Sequence, residues 1–304
     1  MDQKRSIAIP LSVTSLLFAF IAACGERGGD SGLTRTEARL AGPSGKGTCL
    51  KVANGVETPQ MSGVVVVRTA GGGLCTGTFL GDNAVVTAAH CIDASPSGNV
   101  KIWGEIPPKA VFHAGIAGEA AFDQTPSLDI AVLLLPDNSS RAWRKIASVP
   151  PRVGDQLTVA GFGRTSALNG GPPDGKLRYG FNKVGAVSVE EAIMVYDAPT
   201  EYKGVAVGEE SMGAPGDSGG PIIVGNGLVG LTSGGGLDER ANRVVGVNFL
   251  LFSAPALKAM EAAEARGAHI NGINNVRKAL GVKVQDDTSS DKESMVSEAD
   301  DSSC

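Results

Sequence analysis

From residue 63 onward the chain is a succession of short apolar runs separated by glycine, proline and asparagine turns. Val64-Val65-Val66-Val67-Arg68 is β-branched, Gly71-Gly72-Gly73 interrupts it, and residues 74–80 alternate apolar with small polar positions. Asp82-Asn83 then turns the chain into Ala84-Val85-Val86-Thr87. The same pattern predicts strands over 100–103, 130–135, 156–161, 186–189, 194–197, 221–224, 228–232 and 244–249. Many short strands with Gly/Pro punctuation predict an all-β barrel or sandwich. Two late segments depart from it: 256–266, rich in Ala, Glu and Lys, and 270–280, which is amphipathic, both read as helices.

The two ends have a different character. Lys4-Arg5 precede an apolar run over 7–23, and Ile21-Ala22-Ala23-Cys24 closes it. This resembles a bacterial lipoprotein signal, which implies a signal peptide over 1–23, acylation of Cys24 and anchorage in the cell envelope. An ordinary signal peptide cut near Cys24, giving a secreted protein, or an uncleaved anchor helix are the other readings of the same residues. Residues 24–51 lack apolar periodicity and read as a linker and pro-segment. Residues 285–304 carry seven acids against one lysine, a composition expected to stay disordered. The intervening 52–284 is long enough to bury a sizeable core, as one large domain or two small ones.

A hydrophobic content of 42% and a charged content of 19% are those of a globular protein. The net charge of −5 argues against nucleic acid as a partner, and most of it resides in the tail. There are five cysteines, three histidines and no CxxC pair, so no metal site and no cofactor are expected.

Three segments carry candidate chemistry. Gly213-Ala214-Pro215-Gly216-Asp217-Ser218-Gly219-Gly220-Pro221 places a serine in a glycine-rich turn, with the Gly216 and Ser218 amides available to a developing oxyanion. Upstream lie Thr87-Ala88-Ala89-His90-Cys91 and Ser127-Leu128-Asp129-Ile130-Ala131, the latter placing a carboxylate at the start of an apolar strand. Asp123 is the other acid in that region, but no strand follows it. In wording, order and spacing the three segments resemble the chymotrypsin/trypsin-like serine proteases over roughly 52–281.

The resemblance implies two six-stranded antiparallel β-barrels with the active site in the cleft between them and a C-terminal helix. It implies a serine endopeptidase acting on polypeptides, with Ser218 as nucleophile, His90 as general base and Asp129 as its orienting acid. It also implies a Cys75–Cys91 disulfide around the histidine loop. Val52-Ala53-Asn54-Gly55 stands where the family's mature N-terminus begins, so an activating protease is expected to cut Lys51–Val52 and pair the new Val52 ammonium with Asp217. With Cys24 acylated, a Cys49–Cys304 bridge is the remaining pairing.

For the substrate pocket the resemblance implies Met212 at the floor, Ser233, Gly234 and Gly235 along the substrate-binding strand, and Gly246 keeping the pocket open. Met212 in place of an acid disfavours basic P1 residues and favours apolar ones. The alternative class is a catalytically silent homologue that serves as a binding protein. A chaperone-protease relative is disfavoured by Asp217, Cys75 and Cys91.

Overall fold

Among the residues that the computed structural model describes (52–69, 72–92, 100–114, 126–164 and 175–283), fourteen strands pair into two antiparallel sheets. Cys24, Cys49, Lys51, Asp123, Cys304 and the tail over 285–304 lie outside the described residues. The strands run β1 (Val56–Glu57), β2 (Val64–Arg68), β3 (Leu74–Phe79), β4 (Ala84–Thr87), β5 (Lys101–Ile102), β6 (Ala110–His113) and β7 (Ala131–Leu134) in the first part of the chain. They continue as β8 (Gln156–Gly161), β9 (Arg178–Lys183), β10 (Ala186–Ser188), β11 (Ile193–Pro199), β12 (Pro221–Val224), β13 (Gly227–Asp238) and β14 (Arg243–Leu250). The first sheet has the order β5-β2-β3-β4-β7-β6, and the second β1-β9-β8-β12-β13-β14-β11-β10. Six principal strands make the second sheet, extended at its two ends by the short β1 and β10. Asn182 on β9 donates to the Asp197 carbonyl on β11 at 2.9 Å, which draws the sheet into a curl. The architecture is the expected pair of barrels.

The apolar runs of β4 and β7 are buried at every position. One face explains itself: Val85 and Leu133 join Val65, Val67, Phe79 and Ile102 inside the first barrel. The other face (Ala84, Val86, Val132, Leu134) packs into a second, larger core with Ala256, Met260 and the interior of the second barrel. A strand covered on both sides has no reason to alternate, hence the continuous Val/Ala/Leu sequence. Helix α1 (Ala254–Glu264) supplies the outer cover, and α2 (Ile273–Ala279) follows it. Helix α1 begins two residues earlier than its composition predicts. Ser253 is its N-cap, accepting from the Ala256 amide at 3.4 Å, with proline in the first turn.

Three strands escape a reading by apolar pattern. β6 is only half-buried along its length, β9 (Arg-Tyr-Gly-Phe-Asn-Lys) mixes charge and glycine, and β1 is two residues long. β13 also runs past the predicted 228–232 through Gly234-Gly235-Gly236 to Asp238, because Gly234 pairs with Val247 and Gly235 with Gly246 across the ladder to β14. Partner hydrogen bonds here outweigh the poor strand propensity of glycine.

The Cys75–Cys91 disulfide joins β3 to the histidine loop, at a sequence separation of 16. Closing a loop of this length is worth about 3 kcal/mol through the unfolded chain. The double substitution Cys75→Ser/Cys91→Ser is therefore expected to lower the unfolding free energy by about that amount, measurable by urea denaturation.

Candidate active site

Strand pairing assembles the first half of the site. β4 and β7 are antiparallel with Thr87 opposite Ala131, so the residues just after β4 and just before β7 emerge at the same end of the sheet. His90 lies three residues beyond Thr87, in a short 3-10 turn over Ala89–Cys91, and Asp129 lies two residues ahead of Ala131. His90 Nδ1 is 2.9 Å from Asp129 Oδ2, and the His90 amide donates to Asp129 Oδ1 at 3.0 Å. The Ser233 hydroxyl, from β13 of the other sheet, also donates to Asp129 Oδ2. Asp129 is buried and has these donors as partners, while the His90 side chain keeps 30% of its surface open.

The electrostatics follow from that geometry. Burial alone disfavours an ionised Asp129, but the His90 charge and the hydrogen bonds from the His90 ring, Ser233 and the His90 amide outweigh it, so its pKa is lowered. For His90, packing pushes the imidazolium down, whereas the Asp129 charge and hydrogen bond raise the pKa above the ordinary 6.5. With Nδ1 held toward Asp129, Nε2 is the nitrogen left for proton exchange.

Ser218 sits beside this pair. Its carbonyl accepts from the Thr76 amide of β3 at 2.8 Å and lies 3.7 Å from Cys91 Sγ, next in sequence to His90. The Ser218 hydroxyl makes no hydrogen bond among the described residues. Contacts between a nucleophile and its base often tighten only when substrate binds. The Gly216 and Ser218 amides likewise have no acceptor among the described residues.

The turn around Ser218 is held from below by Asp217, which is fully buried. Its carboxylate accepts from the Gly163 amide at 2.7 Å and from the Ala214 amide at 2.8 Å. Gly163 passes so close that a Cβ there would stand 2.6 Å from the Asp217 nitrogen, so only glycine fits. Burial pushes the Asp217 pKa up to about 7, against the pull of the two amides and of Arg178. Two amide donors hold this carboxylate, and a cation is what burial leaves it short of.

The segment over 52–54 packs nearby, with Val52, Ala53 and Asn54 all buried. The Met212 amide donates to the Ala53 carbonyl at 3.2 Å, and Asn54 Nδ2 donates to the Ala206 and Glu209 carbonyls at 2.7 Å each. Val52 has φ +41°, a left-handed conformation that is severe for a β-branched residue.

Met212 is 2% exposed, and its Sδ would stand 3.0 Å from a Cβ at Gly246, so the thioether occupies the space that glycine leaves. Gly234 faces open space, with nothing within 4 Å of where its Cβ would be. Gly235 pairs with Gly246 across the ladder between β13 and β14.

Two contributors went unread in the sequence. Thr76 donates through Oγ1 to the Gly216 carbonyl at 3.0 Å and accepts from the Phe162 amide at 3.1 Å, bridging the two barrels beneath the Gly216 turn. A hydroxyl at a strand position between Cys75 and Gly77 was the available signal. Asn248 is buried behind Gly246, its Nδ2 donating to the Met194 carbonyl at 3.3 Å while Oδ1 has no partner among the described residues. A lone amide in Val-Gly-Val-Asn-Phe-Leu marked it.

The trypsin family model matches residues 52–252. Trypsin alpha-4 of Lucilia cuprina is 30% identical over 190 residues, covering 56% of this chain and 71% of that protein. Trypsin alpha of Drosophila erecta is 26% identical over 244 residues, covering 74% and 88% respectively. A solved structure of Glu endopeptidase in complex with MPD superposes with a TM-score of 0.50 at 14% identity, over 72% of this chain and 100% of that one, a likeness of fold.

Since Asp129 supplies the upward push on His90 and packing opposes it, Asp129→Asn is expected to drop the His90 pKa below 6.5. NMR titration of the imidazole in the two proteins measures the shift.

Proposed function

The chain belongs to the trypsin family of serine proteases and is a serine endopeptidase, and we propose that Ser218, His90 and Asp129 are its catalytic triad. The observation that carries this assignment is the hydrogen-bonded run Ser233–Asp129–His90 next to the carbonyl of Ser218. Ser218 Oγ attacks the scissile carbonyl carbon as its proton passes to His90 Nε2. The carbonyl oxygen becomes an oxyanion and takes hydrogen bonds from the Gly216 and Ser218 amides, donors worth about 10²–10³ in rate each. Collapse breaks the C–N bond, and the amine leaves with the proton from His90. Water then attacks the acyl-enzyme, His90 accepting its proton and returning one to Ser218. Asp129 keeps the required tautomer and stabilises the imidazolium throughout.

Activation is proposed to follow from cleavage of Lys51–Val52. Two features support it. The left-handed φ of Val52 exists only while a peptide bond precedes it, so cutting that bond removes the strain. The new ammonium, at the end of a segment already docked on Met212, is the cation that buried Asp217 is short of. The Ile21-Ala22-Ala23-Cys24 motif supports export and acylation at Cys24, placing the domain on a bacterial envelope; a secreted form is the other outcome. A Cys49–Cys304 bridge would keep the activated domain joined to its anchored pro-segment.

Met212 supports an apolar P1 side chain. A buried lysine or arginine side chain would meet a thioether and no countercharge. Peptide-library profiling is expected to give apolar P1 residues, with cleavage and fluorophosphonate labelling both abolished by Ser218→Ala. A clear Arg/Lys preference would overturn the pocket assignment, and absence of labelling in the processed wild type would favour a silent binding protein.

The uncut chain should also respond to pH. The Asp217 carboxyl ionises near 3.8 when unfolded and near 7 in the folded, uncut protein. The stability it contributes is complete below 3.8 and is lost as pH rises through about 7. Thermal melts of uncut Ser218→Ala protein are expected to fall across that window, and Asp217→Asn to flatten the dependence. After cleavage the Val52 ammonium lowers the Asp217 pKa, and the loss near neutrality disappears.

A further inference from the structure

The turns that shape the pocket have no covalent staple, since no cysteine lies between Cys91 and Cys304. Side chains tie them instead: Asn182 Nδ2 donates to the Asp197 and Ser211 carbonyls at 2.9 Å each, and the Arg243 guanidinium joins the same segments from the other strand. Arg243 opens β14 three residues ahead of Gly246, the residue against which Met212 packs. Its Nη2 donates to Asp197 Oδ1 at 3.1 Å and to Glu210 Oε2 at 3.0 Å, and its Nε lies 2.9 Å from Asp197 Oδ2. Asp197 belongs to β11, where it pairs with Val245. Glu210 stands two residues before Met212 with φ +45°, a conformation uncommon for a residue with a Cβ. The adjoining turn is tied as well: Thr200 Oγ1 donates to Asn242 Oδ1 at 3.1 Å, and Asn242 too is left-handed, at φ +51°. Burial and the Glu210 charge push the Tyr202 hydroxyl pKa up, so a neutral phenol lines the Glu210 side of this group.

These contacts connect three pieces of chain: one carrying the proposed pocket floor, one its wall, and β11, the strand paired with that wall. Without Arg243 the strained Glu210 turn keeps the backbone bonds of Glu209, Ser211 and Met212 but loses its charged tie to β11 and β14, and with that tie the fine placement of Met212 relative to Gly246. We infer that Arg243 is a positioning residue for substrate selection: by holding Asp197 and Glu210 together it sets the space offered to the P1 side chain, without touching the reacting atoms. The inference rests on the pocket assignment of the proposed function. The ion pairs are partly exposed, with about a third of the Arg243 side chain open to solvent, so their influence is moderate and screened by salt.

The test uses the full-length, processed protein and two peptides that differ only at P1, leucine or glycine. Arg243→Met is expected to raise KM for the leucine peptide roughly five- to tenfold, with little change in kcat, in KM for the glycine peptide or in the rate of fluorophosphonate labelling at Ser218. Arg243→Lys should restore part of the loss, and Glu210→Gln should reproduce part of it. About 1 M NaCl should raise the wild-type KM for the leucine peptide and leave Arg243→Met unmoved. If Arg243→Met does not fold, Arg243→Lys and Glu210→Gln decide alone. A wild type that labels normally beside variants with unmoved KM overturns the positioning role only, as does an equal fall in kcat, labelling and activity on both peptides. A processed wild type that neither labels nor cleaves overturns the catalytic reading and the positioning role together.

Discussion

Asp129 is a buried carboxylate that stays ionised only because three donors reach it, and those donors come from both sheets. The His90 ring and amide arrive from the end of β4, and the Ser233 hydroxyl arrives from β13. Removing any one leaves part of a charge without a partner in a place water does not reach, a costly state. The requirement that Asp129 be satisfied thus constrains how the two sheets meet, with the Ser218 carbonyl 3.7 Å from the Sγ of Cys91, the residue after His90. Fold and chemistry depend on the same three hydrogen bonds.

A second buried carboxylate has the opposite character. Asp217 is surrounded as closely as Asp129, but its donors are two backbone amides, and burial outweighs them and the pull of Arg178, so its proton is retained to about pH 7. The contrast comes from environment alone, since the two groups are the same acid. A satisfied carboxylate orients a base. One short of charge keeps its proton directly beneath the Gly216–Ser218 turn, and the proposed activation would have the strained Val52 bring a cation to it.

Selectivity is arranged less rigidly. Backbone ladders fix Gly235 against Gly246, and a thioether fills the space beneath, whereas Glu210, set between the backbone-bonded Glu209 and Ser211, adds a partly exposed ion pair to Arg243. Partly exposed ion pairs give way more easily than β-ladders. The Glu210–Arg243 ion pair is thus less firmly fixed than Asp129 and Asp217, the two carboxylates held by burial.

Much of this was legible from residue order. The short β-rich runs over 64–68, 74–80 and 84–87 announce an all-β barrel or sandwich because strand propensity and turn residues are local properties, and the resemblance of the segments around His90, Asp129 and Ser218 implies the two barrels and their chemistry. β6, β9 and the glycine stretch of β13 were hidden, since what makes them strands is a partner's hydrogen bonds rather than their own pattern. The sequence could name Asp217 and Val52 but not the state of the carboxyl, which depends on exclusion of water by Gly163, Ala214 and the surrounding core. It contained Thr76, Asn248 and Arg243 without distinguishing them from other polar residues. Their roles arise from distances across the fold, as when Arg243 meets a glutamate thirty-three positions away. Local geometry is written in the chain itself; burial, and the charge states that burial imposes, exist only once distant segments have closed around a group.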